Sequence, residues 1–170
     1  MVLPDLLDYN LIVVFCGTAV SRTSAKKNAY YASEDNKFYS TLYNCGFTPF
    51  QLKPEQYSNL LEYKIGLSDL AKRYAGGDKN LATKDFDVVG FKNKMKKYKP
   101  KVICFNGKRA GKEFLDLDKK GKLPYGLLEQ EYYGIKLFVA PSTAYKADDY
   151  WDIKHWHDLY NMIKWNNTNA

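Results

Sequence analysis

Apolar residues along this chain fall into two patterns. Three short continuous runs are rich in β-branched and aromatic residues and stop at small or polar ones. They are Leu11-Ile-Val-Val-Phe15 before Cys16-Gly17-Thr18, Val102-Ile-Cys-Phe105 before Asn106-Gly107, and Lys136-Leu-Phe-Val-Ala140 before Pro141-Ser142. A run of this kind predicts a strand buried on both faces that opens into a loop. Between the runs lie stretches with helical character. Residues 37–43 carry Phe38, Leu42 and Tyr43 and are closed by Gly46. Residues 54–63 open on a Pro-Glu first turn suited to a helix start. Residues 85–98 set Phe86, Val89, Phe91 and Met95 among lysines and stop before Pro100. Residues 107–115 follow the second run directly, and residues 150–165 carry Trp151, Trp156, Leu159, Tyr160 and Ile163.

Strands separated by helices imply a mostly parallel sheet with helices on both faces, an α/β fold. Ligands of such sheets bind in the crevice beyond the carboxyl ends of the strands. The loops at 16–25, 105–109 and 140–146 are therefore expected to converge on one site. No repeat, low-complexity tract or linker interrupts the pattern. A length of 170 residues with 45% hydrophobic content suits one domain over residues 1–170.

Composition narrows the class. No apolar run approaches the ~20 residues that a membrane span needs. Residues 1–10 hold two acids and no basic cluster, a poor signal or transit peptide. Cys16, Cys45 and Cys104 are odd in number and far apart, which excludes a disulfide framework and the short-spaced ligand sets of zinc or iron–sulfur sites. A reduced, cytoplasmic protein is the simple expectation. Aromatic content of 16%, with 15 Tyr, argues against disorder. Lys and Arg number 26 against 19 Asp and Glu, a formal charge of +7, which permits nucleic-acid binding without demonstrating it.

Candidate chemistry gathers at a few places. The loop Gly17-Thr-Ala-Val-Ser-Arg-Thr-Ser24 leaves a strand and is rich in small and hydroxyl residues, so its amides and hydroxyls suit an anion or a base edge. It has neither the Walker lysine pattern nor a GxGxxG, and an ordinary strand–helix loop fits its spacing equally. The dense run Lys92, Lys94, Lys96, Lys97, Lys99 and Lys101 reads first as a solvated helix face and second as a phosphate-tracking patch, with Lys108, Arg109, Lys112 and Lys146 near it. His155 and His157 point in different directions on a predicted helix, which favours a structural role. Asp69 follows a short apolar segment with a glycine and precedes Lys72 and Arg73. It is either half of a surface ion pair or a carboxylate held in a cleft to orient water or stabilise positive charge.

Taken in order, these segments resemble the uracil-DNA glycosylase superfamily, closest to its mismatch-specific uracil/thymine branch. The likeness runs from Leu11 to about Ile163. It rests on Val-Val-Phe-Cys-Gly17 with a loop ending Ser24-Ala25, then Tyr30-Tyr31 and Asn36-Lys-Phe-Tyr39. Asn44-Cys-Gly-Phe-Thr-Pro49, Leu61-Glu-Tyr-Lys-Ile-Gly-Leu-Ser-Asp69, Phe105-Asn-Gly-Lys108 and Ala140-Pro-Ser142 continue it. The resemblance implies a three-layer α/β/α sandwich and a monofunctional, cofactor-free monomer. Such an enzyme flips a nucleotide out of DNA and hydrolyses its N-glycosidic bond, leaving an abasic site.

The resemblance also assigns roles, and the departures matter. Where the branch carries an asparagine that positions water, this chain has Ala19, so catalysis is either lost or moved to another side chain. Asp69 is the first substitute, because its segment lines the family's pocket. Asn36 is the second, because another branch uses an asparagine from this region. Tyr31 matches an aromatic that stacks on the flipped pyrimidine, and Gly17, Thr18 and Ser24 lie where the base edge is bound. Pro141 and Ser142 match a phosphate-binding motif. Thr143, Tyr145 and Lys146 match the loop that enters the vacated space, and Asn106, Lys108 and Arg109 are expected on the DNA-facing rim. Alanines at 19 and 140 suggest more room than uracil needs, as for a bulky modified pyrimidine such as the glucosylated hydroxymethylcytosine of phage DNA. Repair and phage defence are both compatible with this reading. A non-catalytic binder of damaged or abasic DNA is the alternative.

Overall fold

The computed structural model describes the backbone of residues 1–168 and side chains as far as residue 164. Five strands, β1 (Val13–Gly17), β2 (Ile65–Asp69), β3 (Val102–Asn106), β4 (Gly126–Tyr132) and β5 (Ile135–Ala140), form one sheet in the order β2-β1-β3-β5-β4. Every pairing is parallel except the β4–β5 hairpin. The three apolar runs became β1, β3 and β5. The other two strands lack such a run. β2 reads Ile-Gly-Leu-Ser-Asp, yet all five residues are buried. The amino-terminal segment passes close outside it, with Leu6 and Leu67 exchanging backbone hydrogen bonds of 2.9 and 2.8 Å. A Cβ on Gly66 would lie 2.8 Å from the Leu6 carbonyl oxygen, so glycine is the residue this approach admits. β4 is an edge strand with two glutamates and an irregular register between Leu127 and Glu131.

Alternation along the strands divides the core into two layers. Val13 and Phe15 of β1 point to one face, and Val14 and Cys16 point to the other. On the first face, Phe38 and Leu42 of α2 (Phe38–Cys45) and Trp156, Leu159 and Ile163 of α5 (Lys154–Thr168) pack over Ile65, Leu67, Val102, Cys104, Phe138 and Ala140. On the second, Phe91 and Met95 of α3 (Val88–Tyr98) and Phe114 of α4 (Lys108–Phe114) pack over Ile103, Phe105, Leu137 and Val139. The fold is the expected α/β/α sandwich. The short α1 (Arg22–Lys27) occupies the end of the first loop and is capped by the Ser21 side chain, which accepts from Ser24 N at 3.0 Å.

Three expected helices are placed differently. Residues Pro54–Tyr63 wind as a 3₁₀ helix with only Leu60 buried, so no apolar stripe favours the 3.6-residue turn. The lysine-rich helix starts at Val88, where the Asp87 carboxylate caps Gly90 N at 2.9 Å. Val89 is then 72% exposed instead of core. The last helix starts at Lys154, leaving Trp151 before it beside another 3₁₀ segment, Tyr145–Tyr150.

Trp156 joins the core to the loop after β5. Its ring stacks on Phe15 with centroids 5.4 Å apart, and its indole N–H donates to the Pro141 carbonyl at 3.0 Å. Replacing it leaves a void and an unpaired carbonyl. Trp156→Ala is expected to lose about 3–5 kcal/mol of unfolding free energy, measured by urea denaturation.

Candidate active site

Register places the chemistry at one level. Gly17 at the end of β1 is paired with Asp69 at the end of β2, and Asn106 at the end of β3 is paired with Ala140 at the end of β5. β1 connects to β2 on one side and lies against β3 on the other, so the sheet order reverses at this point. That is where an open α/β sheet leaves a crevice. The loops after β1, β3 and β5 do meet here, and the end of β2 joins them.

Asp69 is 5% exposed and is no surface ion pair. A Cβ built on Gly17 would stand 3.0 Å from Asp69 Oδ1 and 3.7 Å from the Tyr31 hydroxyl, so both oxygens hang over the bare Cα of that glycine. Lys72 Nζ is 3.7 Å from Asp69 Oδ2 but only 2.9 Å from Asp5 Oδ1. Burial pushes the Asp69 carboxyl up to about 6 from its ordinary 3.8, and the shared lysine only partly offsets this. Asp5 is also driven upward by burial, but Lys72, Lys94 and Ser68 outweigh that and hold it below its ordinary value.

Tyr31 sits in the left-handed region at φ 53°. One face of its ring is covered by Phe38, with centroids 4.0 Å apart and planes at 24°. Its hydroxyl is buried and, among the described residues, has no hydrogen-bond partner. Burial raises this phenol well above its ordinary range, and Asp69 beside it adds to the effect, while the nearby Asn106 side chain, too poorly aligned to count as a hydrogen-bond partner, opposes it. An unsatisfied buried hydroxyl next to a buried carboxylate is an arrangement that a ligand can complete.

Several residues expected to touch substrate or DNA are spent on the framework. Asn106 and Thr143 form two hydrogen bonds, Asn106 Nδ2 to Thr143 Oγ1 at 3.1 Å and Thr143 N to Asn106 Oδ1 at 3.0 Å. Thr143 is 1% exposed, so its side chain lies beneath the loop and not at its tip. Ser142 Oγ accepts from Ala144 N at 3.2 Å. Gly107, at φ +106°, lies under it; a Cβ there would come within 3.3 Å of Ser142 Cβ. Pro141 holds Trp156 through its carbonyl. Ser24 is buried, accepting from Ala32 N at 2.9 Å and from Ser21 Oγ at 3.0 Å. Thr18 Oγ1 donates to Asp78 at 2.6 Å. Ala140 is fully buried in the core under α5, so it lies beneath the crevice and adds no open room. Ala19 is half-buried and packs toward the opposite layer.

The remaining candidates divide. Asn36 is half-buried, accepts from Phe38 N at 3.0 Å and lines a cavity of about 450 Å³ together with Tyr31, Ser33 and Tyr39. Asp69 is not part of that lining, but Tyr31 is, and its hydroxyl shares the Gly17 position with Asp69 Oδ1. Arg109 turns inward: Nε donates to Glu113 at 3.0 Å, and the guanidinium lies over Phe86. It is therefore packed and not a free rim cation. Lys108, the first residue of α4, lies 4.4 Å over the Tyr125 ring. Tyr145, 61% exposed, and Lys146 stand outside on the 3₁₀ turn, anchored by the Lys37–Asp148 ion pair. The lysines at 96–101 fall where α3 ends and β3 begins, at the opposite end of the sheet from the crevice.

Sequence reasoning missed Asp5, Ser68, Lys72 and Lys94 as a group. No spacing rule links residues so far apart. A serine and aspartate ending a short segment before a lysine was the only available signal. Among the described residues, no group of three or more His, Cys, Asp or Glu is placed to hold a metal ion. No helix among them is long and apolar enough to cross a membrane.

Comparisons with known proteins bear on the family and the fold. The family model for the Uracil DNA glycosylase superfamily matches residues 4–159. The chain is also similar to the solution NMR structure of a candidate uracil DNA glycosylase from Methanosarcina acetivorans. The TM-score is 0.70 at 22% identity, over 95% of this chain and 96% of that one, a likeness of fold.

Two stability measurements follow from the buried oxygens. Tyr31→Phe removes the unpaired hydroxyl and is expected to raise unfolding free energy by about 1 kcal/mol in urea. Asp69 binds its proton more tightly folded than unfolded. Its contribution is therefore fully present below about pH 4 and is lost as pH rises through about 6. Wild type should accordingly lose stability relative to Asp69→Asn across that window, as read from urea midpoints at successive pH values.

Proposed function

The chain belongs to the Uracil DNA glycosylase superfamily, and on that premise we propose that it is a monofunctional DNA glycosylase acting on a pyrimidine nucleotide extruded from DNA. The observation that carries this reading is Asp69: a buried carboxylate at a strand end, over a glycine, beside an unsatisfied tyrosine hydroxyl. Hydrolysis breaks the bond between the sugar C1′ and the base nitrogen, and the electron pair leaves with the base. A water oxygen bonds to C1′, and its proton needs an acceptor. In its ionised form Asp69 takes that proton and stabilises the positive charge developing on the sugar. A base stacked inside a duplex is out of reach, so extrusion comes first.

Ala19 shapes the substrate side of the proposal. It removes a polar group from the first loop, so the base edge there meets only backbone and the neighbouring hydroxyls. Because Ala19 packs toward the α3–α4 layer, it adds no open room in the crevice. Ala140 lies in the core, so neither alanine opens the crevice, and a base panel decides the size of the pyrimidine. Tyr145 and Lys146 are our candidates for meeting DNA beside the flipped nucleotide, a reading supported by their exposure on the turn after the β5 loop. Lys146 supplies charge without the planar fork of an arginine. The same Ala19 motivates a second reading, a non-catalytic binder of damaged or abasic DNA.

A base-panel assay separates the two. Oligonucleotides carrying uracil, G·U, G·T or glucosylated hydroxymethylcytosine are incubated with the protein, and the released base is weighed by mass spectrometry. Release of a pyrimidine from at least one is expected, with a single-turnover rate that rises through about pH 6 and then levels. Asp69→Asn is expected to lower that rate by about 10²–10⁴-fold. Full rate in the variant overturns the assignment of Asp69, and salt-sensitive binding with no product on any substrate favours the binder.

A further inference from the structure

Behind Asp69 lies a set of charged side chains that neither the expected loops nor the proposed chemistry uses. Asp5, on the amino-terminal segment outside β2, accepts from Ser68 Oγ at 2.8 Å, binds Lys72 at 2.9 Å and also pairs with Lys94 of α3. Lys72 stands between Asp5 and Asp69, and its ammonium also donates to the Tyr30 hydroxyl at 3.1 Å. Tyr30 in turn donates to the Pro4 carbonyl at 3.0 Å. Asp5 and Lys72 have side chains only 12% exposed, so water screens little of this set.

We propose that Asp5, Lys72 and Lys94 are positioning residues that set the orientation and ionisation of Asp69, rather than a purely structural clasp for the amino terminus. This rests on the reading of Asp69 as the reacting carboxylate.

The geometry supplies the reason. One ammonium serves two carboxylates at unequal distances, 2.9 Å to Asp5 and 3.7 Å to Asp69. The lysine that would neutralise Asp69 is thus drawn away by Asp5, and Lys94 limits how strongly Asp5 can draw it. Without Asp5, Lys72 would close on Asp69 as a tight ion pair. That would fix the carboxylate in its charged form and tie up the oxygen pairs needed for a proton. Without Lys72, two buried carboxylates would face each other with no ammonium between them. The other titratable groups facing Asp69 are Cys16, Tyr30 and Tyr31, each raised by burial above its ordinary value and therefore neutral. The charge that Asp69 experiences comes from Asp5, Lys72 and Lys94. The amino-terminal segment is held for this purpose on both sides of Asp5, by Leu6 against Leu67 and by Val2 N donating to the Lys72 carbonyl at 2.8 Å.

The test reads the carboxyl of Asp69 directly, by ¹³C-detected NMR titration of the folded protein, with the pH profile of base release recorded beside it. Asp5→Asn removes the competing charge and frees Lys72, so the Asp69 midpoint is expected to move down by about one pH unit. Lys94→Gln strengthens the hold of Asp5 on Lys72, so the midpoint is expected to move up by a smaller amount. Neither residue is a ligand of Asp69, and a purely structural role would change stability without moving the titration in opposite directions. Unmoved midpoints, or shifts of one sign in both variants, overturn the proposal. If Asp5→Asn does not fold, Lys94→Gln decides alone, because its side chain is 31% exposed and its loss is tolerable; an unmoved or lowered midpoint then overturns it. Failure of wild type to release any base would instead sink the glycosylase reading, and the NMR midpoints would still report on the charge network.

Discussion

Parallel pairing on both sides of β1 is the constraint from which the site follows. β1 carries β2 on one edge and β3 on the other, with Gly17 level with Asp69 and Cys16 level with Phe105. Parallel strands end at the same side of a sheet, and their connections must cross a face to return. Four strand ends and their loops are therefore delivered to one crevice, while the helices that carry the chain back fill the two apolar layers. A one-residue slip in β2 would turn the Asp69 side chain to the opposite face and separate it from Gly17.

Burial of the Asp69 carboxylate then decides the electrostatics. A charged group taken out of water must be paired or must bind its proton. Asp69 is given half of an answer: a lysine near enough to matter, yet closer to Asp5. The outcome is a carboxyl pushed up to about 6, useful for accepting a proton and costly in stability when ionised. Gly17 allows the carboxylate to lie against the strand end, and the unsatisfied Tyr31 hydroxyl stands over the same atom. Polar groups are left incomplete at this place while the surrounding ones are satisfied.

That satisfaction is visible in the loops. Asn106 and Thr143 clamp the end of β3 to the loop after β5, and Trp156 holds Pro141 from the core side. Lys37 N donates to the Thr143 carbonyl at 2.9 Å, which ties the segment bearing Asn36 to the same loop. Residues that resemblance assigns to DNA contact are here the rigid support of the crevice. The side chains left outside, Tyr145 and Lys146, are carried on a turn fixed at its base. A site held on such a frame pays its ordering cost on folding and not on binding.

Much of the architecture was legible in the chain. The runs ending at Phe15, Phe105 and Ala140 announced three buried strands because continuous β-branched segments have few other stable places. The order of short motifs announced the superfamily, and Asp69 stood out as a carboxylate after an apolar segment. β2 was not legible, because Gly66 and Ser68 break its apolar run, and only the close passage of Leu6 explains why glycine is required there. Likewise, nothing in local spacing shows that Asp5, Lys72 and Lys94 gather behind Asp69, or that Ser24, Thr143 and Arg109 are consumed by the framework. Local patterns of burial and turn chemistry act between neighbours in sequence, so the sequence alone determined strands, helices and class. Charge sharing and hydrogen-bond satisfaction act between neighbours in space, and only the tertiary structure decided which side chains remained free to act.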